Sequence, residues 1–460
     1  MQTISNSSFE KLVNEFTDKE IILSDYLIEF KEPINIDLSL LSFSFKNCLL
    51  RGSRMDFYDF NRDADKKDKY ASLSFEDCTI ENDLFIKDCD LYQVDFHNVT
   101  ISSHWFNITS SNINRITING KSDKRNTIKS LILNNLKYGA TTIDMRLNDF
   151  SDTLMINNSS FQDTSFNGNT FKQLTIDECV FKGRFEFWKS SSIHTNIDRT
   201  DFEEVVANDS TFGVDASFKN VKFFGKCDLR GAKESRSILN FNHCNFHKHV
   251  TFEGAKVYGL KFDTVYFSDI ASFQHVTCHN MSFHSAHFDK IAFFNDLDLQ
   301  FDSCDLKTIR VIKNQLSNTE NKIDYLKFNA LEHKILLRES GLSTNDRILL
   351  WSNKLSNNFG ISWLRGVLFT FCMSVLFFIA LLAVNSVVTS TYPLNFLRSG
   401  THAPFSEILL AFLKFVFSLG FDNSEIQSNG LLYFIFIIAK LFIGYGIYQT
   451  VAAFRKYGQN

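Results

Sequence analysis

A parallel β-helix that continues through α-helices into a helical membrane domain is the fold this chain predicts. Three patterns carry that reading: an apolar period of five residues over most of the first 306, two long apolar stretches near the C-terminus, and a shorter apolar segment between them. The period is clearest at Phe241, Phe246, Phe252, Val257, Phe262, Phe267, Phe273, Cys278, Phe283, Phe288 and Phe293, which follow in steps of five with two steps of six. Neither a helix nor a simple strand repeats at five. Two residues ahead of each stands a smaller apolar side chain, from Leu239, Cys244 and Val250 to Met281, Ala286 and Ile291. Alternation puts both positions on one strand face, pointing inward, and the remaining residues turn a corner.

The same register runs through Phe161, Phe166, Phe171, Ile176 and Phe181, through Leu91, Phe96, Ile101 and Phe106, and through Leu40, Phe45 and Leu50. It absorbs most of the nine cysteines: Cys48, Cys78, Cys89, Cys179, Cys227, Cys244 and Cys304 each precede an apolar position by two. A small, weakly polar side chain fits there, and no C-x-x-C spacing occurs, so they read as reduced core residues. Seven of the twelve histidines lie between His243 and His287, but stacking brings Asn242, Asp263 and His284 into one column and Tyr258 and His279 into another. That disfavours a metal site, and no cofactor is called for. Interruptions at 61–70, 119–130, 190–200 and 231–237 read as loops or insertions, and residues 7–16 as a short helix over the first coil.

Such spacing resembles the pentapeptide-repeat family over about residues 38–306. The resemblance implies a right-handed, quadrilateral parallel β-helix with four pentapeptides per coil, a rod on the order of 60 Å at about 4.8 Å per coil. Domain limits follow as an N-terminal cap at 1–36, the β-helix at 37–306, a helical coupling segment at 307–363 and a membrane domain at 364–460.

Beyond Leu306 the period stops and helical signals begin. Ser317, Asn318, Thr319 and Glu320 form a capping-box pattern ahead of an amphipathic run to Arg338. A second helix is expected over about 345–357, with Gly360 as its stop; Trp351 and Trp363 suit the headgroup zone. These helices either pack the rod onto the membrane or transmit its state to the spans.

Two spans are expected at about 365–389 and 430–454, each longer than the roughly 30 Å hydrocarbon layer. The segment between, a helix at about 404–418, is too short to cross and runs into Ser418, Leu419, Gly420, Phe421 and Asp422. That is the outline of a pore helix and its turn; open backbone survives in lipid only when sheltered by protein or facing water. Those five residues resemble a potassium-channel filter with its second glycine missing, which implies a less selective constriction with Asp422 and Glu425 near its mouth. The alternative is a connecting turn without ion contact. Lys440 lies about 15 Å into the second span, where facing lipid would cost several kcal/mol, so it is expected to face protein or water as a pore-lining charge. Gly444 and Gly446 are candidates for a gate hinge or for tight helix contact.

The N-terminus has no basic start or apolar core of the export type, and Lys354, Arg365, Arg455 and Lys456 flank the spans. Both ends are therefore expected in the cytosol, with a multi-pass placement in the bacterial inner membrane. With 48 basic and 52 acidic residues, the near-balanced charge excludes a wholly basic nucleic-acid coat. For an oligonucleotide ligand the best local clusters are Lys121, Lys124, Arg125 and Lys129, then Arg230, Lys233 and Arg236. No phosphate loop, nucleophile elbow or zinc spacing points to an enzyme.

Residues 346–367 and 444–458 resemble bacterial pentapeptide-repeat proteins that end in a two-span ion-channel module, among them effectors of nucleotide-controlled anti-phage systems of the Hailong type. The resemblance implies a homotetramer, a partner nucleotidyltransferase whose DNA oligomers hold the channel closed, and membrane depolarisation with growth arrest on opening. A membrane-anchored interaction scaffold is the competing function.

Overall fold

The computed structural model describes residues 2–15, 20–38, 42–59, 71–136, 141–300, 304–338, 341–388, 405–417 and 430–454. Two compact units divide the chain, 1–311 and 312–460. The first is a parallel β-solenoid of about 13 coils, consistent with pentapeptide repeats.

Coil length explains the ladder. Leu239 pairs with Leu260 and Leu260 with Met281; Phe241 pairs with Phe262 and Phe262 with Phe283; all partners lie 21 residues apart. Each such coil therefore holds one six-residue step among steps of five. Identical side chains land on one another: Phe223, Phe246, Phe267 and Phe288 stack at 4.5, 5.2 and 4.6 Å between ring centroids, within 5° of parallel. Neighbouring columns meet edge to face, as in Phe252 against Phe262 at 5.6 Å. Aromatic pairs of both kinds add about 0.5–1.5 kcal/mol each beyond area burial.

The 21-residue coil corrects the last step of the expected register. Ala271 pairs with Ala292, Phe294 stacks on Phe273 at 4.8 Å, and Ala292 and Phe294 are fully buried. Ile291, expected inside, is 42% exposed, because a third six-residue step separates Phe288 from Phe294.

Corners use a second rule. Asn47, Asp77, Asn98, Asn135, Asn158 and Asn220 all have φ between 47° and 57°. Asparagine and aspartate tolerate this left-handed conformation best among residues with a side chain. Turned this way, each amide reaches the next coil: Asn47 N–H donates to Glu76 O at 2.9 Å and Asn158 N–H to Asp177 O at 3.0 Å.

Polar side chains also enter the core, but only as paired ladders. Asn126, Asn148 and Asn169 are buried in successive coils. Asn126 Nδ2 donates to Asn148 Oδ1 at 2.7 Å, Asn148 Nδ2 to Asn169 Oδ1 at 3.0 Å, and Asn169 Nδ2 to Met145 O at 2.8 Å. Such pairing explains why two expected interruptions are not breaks. Ser191–Asp198 is a strand that pairs on both sides, with Ser192 and Thr195 hydrogen-bonded to each other, and 231–237 runs into the bulged strand Lys233–Asn242. The interruption at 119–130 shrinks to a turn closed by reciprocal Lys121 and Lys124 backbone bonds, and 61–70 lies outside the described residues.

Strands begin ahead of residue 37. Gln2–Ser5 pairs with Tyr26–Phe30, so the first coil is already laid down within 1–36. Helix α1 (Asn6–Glu15) is inserted in that coil, and Phe9 packs edge to face on Phe30 at 5.4 Å. Asn6 fixes it, accepting from Lys31 N–H at 2.9 Å and donating to Glu32 O at 3.0 Å. At the other end Thr308 Oγ1 accepts the Phe283 amide at 2.9 Å, holding the start of α2 (Leu306–Asn318) on the coils.

In the second unit α3 (Lys322–Leu336) and α4 (Thr344–Asn357) follow, then α5 (Trp363–Val388), α6 (Phe405–Phe417) and α7 (Gly430–Phe454). The expected capping box at 317–320 is not a helix start. Ser317 and Asn318 end α2, Glu320 turns left-handed at φ 56°, and Asn321 is the N-cap of α3, accepting from Asp324 N–H at 3.2 Å. The cap lies four residues past the expected Ser317, because α2 runs on to Asn318 and the chain reverses at Glu320 before α3 begins.

Eight cysteines are buried, all as thiols. Several donate to a carbonyl of the preceding coil, as Cys244 Sγ does to Phe218 O at 3.3 Å. Burial pushes Cys179 up to about 12 and Cys244 up to about 11.

Protonation therefore stabilises the fold at Cys244, whose folded value lies above the ordinary 9.0. The same sign holds at Cys179, so solenoid stability is expected to be flat to about pH 9 and to fall as pH rises from there toward 12. Urea melts across that range check it. The register is tested separately: Phe294→Ala should cost about 3–5 kcal/mol and Ile291→Ala under about 1 kcal/mol. The reverse order would restore the unshifted register.

Candidate functional site

Helices α5 and α7 are long and apolar enough to cross a membrane, with mean hydropathy 2.8 and 2.0 over their spans. Little of either is covered by the rest of the chain, and Phe371, Leu376 and Ile379 on α5 and Phe434, Leu441 and Tyr448 on α7 are exposed. Exposed apolar surface on this scale needs lipid or further protein.

The two helices meet through small residues. A Cβ at Gly366 would fall 2.6 Å from Thr450 Oγ1, and one at Gly446 would fall 2.4 Å from Thr370 Oγ1. Each threonine returns its hydroxyl to its own helix, Thr370 to Gly366 O at 2.8 Å and Thr450 to Gly446 O at 2.9 Å. The contact is thus reciprocal, glycine against threonine at both crossings. Gly446 is a close-packing position in this arrangement. Gly444 is not, since nothing lies within 4 Å of a Cβ placed there.

Helix α6 packs into the hairpin. Phe415 is fully buried among Phe378 and Leu381 of α5 and Leu432, Phe436, Ala439 and Ile443 of α7. Its ring lies 5.6 Å from Phe378 and 6.1 Å from Phe436. Lys440 stands ten residues, about 15 Å, along α7. Its ammonium donates to Phe415 O and to Val416 O, the latter at 3.2 Å, and sits 5.1 Å from the Phe436 ring centre. A helix leaves its last four carbonyls without partners and carries partial negative charge there, so Lys440 caps α6 both as a donor and as a charge. Residues 418–422 and Glu425, the expected constriction, lie outside the described residues.

At the other end of α7 a polar cluster joins it to α4. Asn353 Oδ1 accepts from Tyr445 Oη at 2.9 Å and from Gln449 Nε2 at 3.1 Å. Asn357 Nδ2 donates to Gln449 Oε1 at 2.5 Å and Gln449 O at 3.1 Å, while its own Oδ1 accepts the Gly360 amide at 2.8 Å. Asn357 and Gln449 are buried. Sequence reading passed over these four residues, because polar residues at such spacing look like any solvated helix face. The left-handed turn of Asn358, Phe359 and Gly360 then leads into α5, and Phe359 packs with Ala330 and Leu350. Burial lowers the His333 pKa beside the Phe359 ring, at 5.4 Å.

Most of the basic residues proposed for an oligonucleotide are committed. Arg125 donates to Asp149 Oδ1 at 2.9 Å, Asn148 O at 3.1 Å and Gly168 O at 2.7 Å. Arg230 forms a fork on Asp228 at 2.7 Å, which raises its pKa, Lys233 pairs with Asp209 at 3.1 Å, and Lys124 stands 3.9 Å from Asp77. Lys121, Lys129 and Arg236 have no ion pair among the described residues. The histidines stack on other residue types: His279 on Tyr258 at 4.6 Å, His247 on Phe224 at 5.0 Å, and His287 pairs with Tyr266.

No protein-family model, no curated protein and no solved structure matches the chain. A parallel β-solenoid followed by helices, two of them long and apolar enough to span a membrane, is what the fold defines.

Because both are alanine changes in one helix, Gly446→Ala and Gly444→Ala isolate packing from helix propensity. Gly446→Ala is expected to lower the melting temperature of the detergent-solubilised protein and Gly444→Ala to leave it level or raise it. Thermal unfolding followed by intrinsic fluorescence reads the difference.

Proposed function

We propose that the protein is an oligomeric ion channel of the bacterial cytoplasmic membrane, gated by its pentapeptide-repeat domain. In this reading α5 and α7 cross the bilayer with both termini cytosolic, the solenoid coils are right-handed and four-sided, and four chains surround the pore. The observation that carries it is α6: a helix too short to span, buried at Phe415 inside the hairpin, with its end capped by Lys440 partway along α7. A segment lying flat on the membrane would not place its last carbonyls about 15 Å along a span. Residues 418–422, Ser418 through Asp422, then form the constriction, and the α4 cluster passes the state of the cytosolic domain to α7.

The physiological role we propose is an anti-phage effector that depolarises the membrane and arrests growth when an inhibitory DNA oligomer, made by a partner nucleotidyltransferase, is lost. A phosphodiester ligand would find Lys121, Lys129 and Arg236 uncommitted. With so few free cations, affinity for single-stranded DNA should fall only shallowly with salt, by roughly 0.7 log units per log unit of salt for each phosphate neutralised. Filter binding across salt concentrations measures it.

Conduction is tested with purified protein in potassium-loaded liposomes and with a potential-sensitive dye in expressing cells. Flux and depolarisation are expected; silent liposomes, polarised cells and solitary chains in detergent would together leave only an anchor. Lys440→Gln keeps a donor for the α6 carbonyls but removes the charge from the negative end of that helix. Its reversal potential in asymmetric salt should move toward that of a cation-preferring pore, and an unchanged value would separate Lys440 from the ion path.

A further inference from the structure

Between the C-terminal end of α3 and the outward face of α4 lies an open pocket lined by Lys334, Leu337, Arg338, Arg347, Trp351 and Lys354. Four of these six are cations and none is acidic. Elsewhere among the described residues the arginines are mostly matched to carboxylates, as Arg125, Arg199 and Arg230 are. Here Lys334, Arg347 and Lys354 have no carboxylate partner among the described residues. Like charges gathered around one hollow repel one another, and a bound anion relieves that repulsion.

The surroundings of the pocket choose the anion. Arg347, Trp351 and Lys354 share one side of α4 at i, i+4 and i+7, and Ile348 and Leu355 continue beside them as an apolar row, 64% and 56% exposed. Helix α4 is held at a definite level by Asn353 and Asn357, which bond Tyr445 and Gln449 in the last ten residues of α7. An apolar row, an exposed tryptophan and the cations Lys334, Arg347 and Lys354 at the end of a span match the layers of a membrane surface in order: acyl chain, glycerol, phosphate.

We propose that this pocket binds the phosphate of an anionic phospholipid headgroup in the leaflet where α5 begins. Arg347 and Lys354, with Lys334 and Arg338 opposite, take the phosphate oxygens; Trp351 lies at the glycerol level, and Ile348 and Leu355 meet the acyl chains. The inference rests on the reading that α5 and α7 cross a bilayer. That reading fails on its own terms if the chain leaves salt- and carbonate-washed membranes without detergent.

The test is native mass spectrometry of the full-length protein, exchanged in detergent with phosphatidylglycerol or phosphatidylcholine. Wild type should retain phosphatidylglycerol, at least one per chain, and release phosphatidylcholine. The double variant Arg347→Gln/Lys354→Gln should hold phosphatidylglycerol about tenfold less, with phosphatidylcholine unchanged. Far-UV circular dichroism and elution volume establish that the variant is folded; should it not be, Lys354→Gln alone, at an exposed position, serves with a smaller expected drop. Equal retention by wild type and variant overturns the proposal. Displacement of phosphatidylglycerol by inorganic phosphate or a short oligonucleotide at equal concentration also overturns it, and reassigns the pocket to a soluble phosphate ester.

Discussion

Peptide groups removed from water must find partners, and both units of this chain are arranged around that demand. In the solenoid no strand can satisfy its own backbone, so each coil borrows from the next. The left-handed Asn and Asp corners exist to aim amides along the stack, and the Asn126, Asn148 and Asn169 ladder closes polar gaps that an apolar side chain would leave open. In the helical unit the same demand falls on the end of α6. Its last carbonyls lie beside a cluster of buried apolar side chains, and the Lys440 ammonium answers for two of them.

Repetition made the fold legible. A side chain that recurs every five residues reports its burial many times over, so the apolar columns, the buried cysteines and the two long helices could all be read from residue types. What failed were places where one residue had to be placed without repetition. The step from Phe288 to Phe294 is six, and only the coil length of 21 reveals it. The polar stretch at 190–200 looked like an interruption because serine and threonine do not announce that they will face inward as hydrogen-bonded pairs. The helix start expected at Ser317 falls at Asn321, since the left-handed reversal at Glu320 leaves no mark in residue type.

Charge was less legible still. Clusters of lysine and arginine in sequence pointed to an anion, yet in the solenoid two of them, Arg125 and Lys233, reach across coils to carboxylates one turn away, each to a partner 24 residues distant. Only three-dimensional stacking shows that. The reverse holds for the α3 and α4 pocket, whose cations are dispersed from Lys334 to Lys354 and become a group only when two helices lie side by side.

Helix α7 holds Lys440 against α6 and, five to nine residues further, Tyr445 and Gln449 against α4. The stretch between them is a continuous helix, stiff on the scale of its own hydrogen bonds. A torque applied at one grip therefore arrives at the other almost undiminished, as through an axle, and whatever tugs on α4 also strains the hold on the short helix.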